Sequence, residues 1–67
     1  MGNEARLTDE ERQMLALISE GHQMSVVARK LFVSERTLRR WVRNVCDKLG
    51  VESPVSAVAM AARHGLI

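Results

Sequence analysis

Residues Ser34 to Gly50 read SERTLRRWVRNVCDKLG, and their pattern decides the fold. At about 100° per residue, with Leu38 set at zero, Val42, Val45 and Leu49 fall within roughly 40° of it. Arg36, Arg39, Arg40 and Arg43 fall at roughly 100° to 200°, on the far side. Asp47 is the only acid on that side, and it lies at the end. The spacing predicts one helix with an apolar stripe and a basic face. Ser34 is placed to cap its start with a hydroxyl. Gly50 is placed to close its end in a left-handed conformation. Such a helix, anchored by one face and presenting guanidinium groups on the other, suits a DNA major groove. In an arbitrary domain a charge run is more often a solvated face, so the surrounding elements must decide.

Upstream, Thr8-Asp9-Glu10-Glu11 has the form of a capping box, with Leu7 before it as a hydrophobic staple. Acids in a first turn also suit the positive end of the helix dipole. Met14, Leu15, Leu17 and Ile18 give an apolar face, and Gly21 ends this first helix. A second helix is expected from Met24 to Phe32, with Val27, Ala28 and Leu31 inward and Arg29 and Lys30 outward. Phe32-Val33-Ser34 is then a tight turn into the arginine helix. A short helix, a tight turn and a basic helix form the helix-turn-helix layout, although this turn lacks a glycine.

Downstream, Ser53-Pro54 pairs a good cap with a residue at home in the first helical position. A fourth helix should run from Pro54 to His64, with Gly65 stopping it. Val55, Val58, Ala59 and Ala62 cluster on one side and are expected to face the core. Ala57, Met60, Ala61 and His64 fall opposite and are expected to meet a second copy of the chain. The plainer alternative is that alanine is a good helix former that tolerates solvent.

The remaining composition sets bounds. Sixty-seven residues make one small domain, with no room for a large catalytic cleft. A net charge of +2 is only mildly basic, so the case for nucleic acid rests on the clustering of arginines. A single cysteine, Cys46, excludes an internal disulfide and suits a small buried hydrophobe in a reduced compartment. No apolar run is long enough for a membrane span, and no signal peptide is visible. Residues 1–6 read as a flexible lead-in or appended residues, with the domain at 7–67.

These motifs together have a familiar form. The segments LTDEER at 7–12, LALISEG at 15–21, ARKLFVSERTL at 28–38, KLGV at 48–51 and AVAMAARHGLI at 57–67 resemble the LuxR-type (GerE-like) helix-turn-helix domain of bacterial transcription regulators. The resemblance covers nearly the whole chain. It implies an all-α fold of four helices, with the third reading DNA and the fourth mediating dimerisation. Carried over position by position, Arg39, Arg40 and Arg43 occupy the reading places, Arg40 and Arg43 foremost for base edges. Lys30, Ser34, Arg36 and Thr37 are placed for phosphates, as Arg39 also is. The chain departs from the family pattern at Gln23-Met24-Ser25-Val26, at Trp41 and at Pro54. Trp41 reads as a large residue at the core edge.

Other chemistries find little support. His22 and His64 stand far apart and read as surface or loop residues rather than metal ligands. Ser19, Ser25, Ser34, Ser53 and Ser56 have no His-Asp partnership. The expectation is a cytoplasmic, non-enzymatic domain with no cofactor, no metal and no small-molecule ligand. Its expected partners are double-stranded DNA, a second copy and RNA polymerase. Two rivals stay open: a helical protein-interaction module that has lost DNA reading, and a domain like sigma-factor region 4.

Overall fold

Four helices follow one another: α1 (Asp9–Ser19), α2 (Met24–Lys30), α3 (Glu35–Leu49) and α4 (Pro54–Arg63). The structure, a computed structural model, describes residues 7–67; the proposed lead-in at 1–6 lies outside the described residues. Among them no strand occurs, and the fold is the all-α, four-helix one. α3 touches each of the other three helices, as α1 also does. The α3 stripe of Leu38, Val42, Val45 and Leu49 is buried, together with Met14 and Leu15 of α1, Val27 and Ala28 of α2, and Ala57 and Ala61 of α4. Burying a side chain of the Val, Leu or Met class contributes about 1.5–3 kcal/mol, so this shared core supplies most of the drive to fold. Leu7 is buried in the core as well. The residue it would meet as a staple is Arg12, which instead pairs with Asp9, so Leu7 anchors the chain inward.

The caps follow the local sequence. The Glu11 amide donates to Thr8 Oγ1 at 3.1 Å, and the Thr8 amide donates to Glu11 Oε1 at 2.9 Å, completing the capping box. Ser34 Oγ accepts from the Thr37 amide at 3.0 Å, and Ser53 Oγ from the Ser56 amide at 3.1 Å. α3 closes with Gly50 at φ 70°, where the Gly50 amide donates to Asp47 and the Val51 amide to Cys46. That pair of bonds satisfies carbonyls that the helix end would otherwise leave open.

α2 ends earlier than its sequence suggests. It stops at Lys30, and Phe32 turns left-handed at φ 61°. The Phe32 amide donates to Arg29 at 3.2 Å and the Val33 amide to Ala28 at 3.0 Å. This is the bond pair that closes α3, with phenylalanine where α3 has glycine. A residue with a Cβ in that conformation costs roughly 1–2 kcal/mol. Helical spacing could not reveal it, because a bulky apolar residue is a poor signal for a left-handed turn.

α4 is turned the opposite way from the sequence expectation. Ala57 and Ala61 have no exposed surface and pack into the domain's own core against α1 and α3. Val55, expected inside, is 77% exposed, and Ala59 and Ala62 are exposed beside it, whereas Val58 of the same set packs against the core. Met60 is half-buried against the core, and His64 is exposed past the helix end. Of the expected pairing residues, Ala57 and Ala61 are therefore taken up within the chain. A helix that is apolar nearly all round gives no periodic contrast to orient it. Small size decides instead: two alanines a turn apart let α4 approach α1 and α3 closely.

Candidate nucleic-acid interface

The basic face of α3 is built by the same stripe that buries the helix. With Leu38, Val42 and Val45 fixed in the core, Arg36, Arg39, Arg40 and Arg43 are driven outward, and all four are exposed. They line a single shallow depression on the surface. Arg39 Nη2 lies 3.5 Å from Glu35 Oε1, a pair the sequence reading missed although the residues are one turn apart. Among the described residues, no carboxylate lies within ion-pairing distance of Arg36, Arg40 or Arg43. Three guanidinium groups thus keep their donors free for an outside acceptor.

At the start of the helix, Ser34 and Thr37 work together. Ser34 Oγ donates to Thr37 Oγ1 at 3.1 Å while accepting from the Thr37 amide. The Ser34 hydroxyl is spent inside the cap, and the Thr37 hydroxyl keeps its own proton to donate. Lys30 stands apart from this group. It borders a different depression, shared with Gln13, Ala16, Leu17 and Leu31. The structure therefore brings together Arg36, Arg39, Arg40 and Arg43, with Ser34 and Thr37 at the helix start, and leaves Lys30 on another flank.

Trp41 is half-buried against the core and borders a hollow with Thr8, Glu10, Glu11 and Asn44, the core-edge position its size suggested. Cys46 is buried. Its burial, and then the Asp47 carboxylate, push the thiol above its ordinary value, so it serves as a packing group. His22 Nε2 lies 3.2 Å from Glu20 Oε1, a local contact not anticipated from sequence.

The most consequential pair missed from sequence holds this face in place. Lys48 Nζ donates to Glu11 Oε1 at 2.7 Å, linking the last turn of α3 to the capping box of α1. Burial alone would push the Glu11 carboxyl up. The Lys48 ammonium and the Thr8 donors outweigh it and hold the carboxyl below its ordinary range.

Comparison with known proteins meets this geometry. The model of the bacterial regulatory proteins of the luxR family matches residues 5–61. The chain belongs to that family. An HTH-type transcriptional regulator of Mycobacterium tuberculosis is 44% identical over 59 residues, covering 88% of this chain and 7% of that protein. The DNA-binding transcriptional activator DevR/DosR of the same organism is 38% identical over 55 residues, covering 82% of this chain and 25% of that protein. The spore germination protein GerE of Bacillus subtilis is 36% identical over 59 residues, covering 88% of this chain and 80% of GerE. The chain thus spans a small part of the longer luxR-family proteins it matches and most of GerE. The family is one of DNA-binding transcription regulators and not of enzymes. Among the described residues no helix is long and apolar enough to cross a membrane.

Proposed function

We propose that this luxR-family domain binds double-stranded DNA sequence-specifically for a transcription regulator, with α3 laid in the major groove. The observation that carries the reading is the single depression lined by Arg36, Arg39, Arg40 and Arg43 on a helix whose other flank is locked in the core. Arg40 and Arg43 read base edges, where one guanidinium can bond guanine O6 and N7 together. Arg36, Arg39 and the Thr37 hydroxyl hold phosphates, and Lys30 meets the backbone farther out. Ser34 acts through its cap.

Two copies sit on paired half-sites about one helical turn apart. The outward stripe of α4, Val55, Ala59 and Ala62, is the surface on which they meet, supported by its exposure. The domain serves as the output part of a cytoplasmic regulator of the response-regulator kind, with RNA polymerase as its downstream partner. Selection from a random duplex pool, followed by fluorescence anisotropy on the enriched and shuffled duplexes, tests the reading. Enrichment of one sequence bound at least about a hundredfold more tightly than its shuffle is expected. Failure to enrich any sequence would overturn it.

A further inference from the structure

Phe32 combines features that no role within the domain accounts for. It is the only described residue other than glycine with a positive φ, at 61°. It is 94% exposed, the most exposed of the large hydrophobic residues among those described. The Phe32 and Val33 amides pin its backbone to α2. Its neighbours Leu31 and Val33 pack against the core, so the turn is held on both sides while this ring alone points out. The equivalent turns after α3 and α4 carry Gly50 and Gly65, which adopt the conformation without strain. A phenylalanine here spends stability on the backbone and regains none by packing.

The surroundings say what the ring meets. Phe32 stands two residues before the Ser34 cap of the arginine helix. Residues 28–40 carry five cations, Arg29, Lys30, Arg36, Arg39 and Arg40, against one acid, Glu35, which already faces Arg39. A second copy would bring the same cations to the contact and be repelled. A polyanion is drawn in, and a DNA duplex also offers apolar carbon: the deoxyribose edges of the groove wall and the thymine methyl group.

We propose that Phe32 is a further DNA-contacting residue that packs its ring on this apolar carbon beside the entry of α3 into the groove. The inference rests on the DNA-binding reading above and adds a contact that is neither ionic nor hydrogen-bonded. Because it is apolar, its share of the affinity persists as salt rises, while the arginine contacts fade.

The test is F32G, with F32N as a second variant that tolerates the same backbone. Both should keep the unfolding midpoint of the parent or raise it, and both should bind the selected duplex about tenfold more weakly. Replacing each thymine of the site by deoxyuridine distinguishes the two carbon sources. A methyl contact makes one such replacement weaken the parent but not F32G, whereas a deoxyribose contact makes every replacement affect the parent and F32G alike. Equal binding by the parent and F32G would overturn the assignment of Phe32 while leaving the DNA reading intact. So would a lowered unfolding midpoint in F32G, or a changed sedimentation of the DNA-free domain. A parent that binds no duplex would overturn the reading on which this rests.

Discussion

Lys48 and Glu11, 37 positions apart, form the one long-range ion pair among the described residues, with Nζ 2.7 Å from Oε1. Glu11 already serves the capping box of α1, so one carboxylate caps one helix and tethers another. Only 12% of its side chain is exposed. Replacing it by glutamine should keep the cap and the acceptor but remove the ion pair. We expect E11Q and K48M each to lower stability by about 1–2 kcal/mol, measured by urea unfolding. The double variant should lose less than the sum, because both changes break one interaction.

The same pair sets an acid limit. The Glu11 carboxyl is held below its ordinary range in the folded state, so the unfolded state takes up a proton first as pH falls. Its stabilising contribution is complete above the ordinary carboxylate value. It is lost as the pH drops through the depressed folded value. Stability of the parent should therefore decline more steeply below about pH 4.5 than that of E11Q. Parallel curves for the two would remove Glu11 as the group responsible.

The inverted α4 makes opposite predictions for its two faces. A61E forces a charge into a position with no exposed surface and should cost more than about 3 kcal/mol, enough to unfold much of so small a domain. V55E and A62E place the charge on the outward stripe. They should keep the helical circular dichroism of the parent while reducing self-association in sedimentation and cooperativity on paired half-sites.

Much of this fold was legible because the segments that matter carry strong contrast. In α3 apolar and basic residues are separated cleanly around the helix; Thr8, Ser34 and Ser53 mark starts by side-chain bonds to the amide three residues on, and Gly50 marks an end by its left-handed backbone. The rest failed where contrast or locality was missing. α4 is apolar on nearly every side, so its inward alanines could not be told from its outward ones. The end of α2 was hidden because its left-handed residue is Phe32. Lys48 and Glu11 meet only through the fold, and no local pattern pairs them. Within the site, the shared depression of four arginines followed from spacing alone, whereas the separation of Lys30 from it depends on how α2 lies against α1.

Phosphate and base contacts should separate by salt. K30A should weaken binding to selected and shuffled duplexes alike, and it should reduce the slope of log affinity against log salt by about 1. A loss confined to the selected duplex would instead make Lys30 a reader.

The central claim is that Arg40 and Arg43 of α3 carry sequence recognition, and the most direct test is the ratio of affinities for selected and shuffled duplexes at one salt concentration. At about 1–3 kcal/mol of discrimination for each bidentate arginine, R40A/R43A should bring that ratio from at least about a hundredfold to near one. Thermal unfolding should be unchanged, since both side chains are exposed. A double variant that folds like the parent and keeps the parent's ratio would contradict the account.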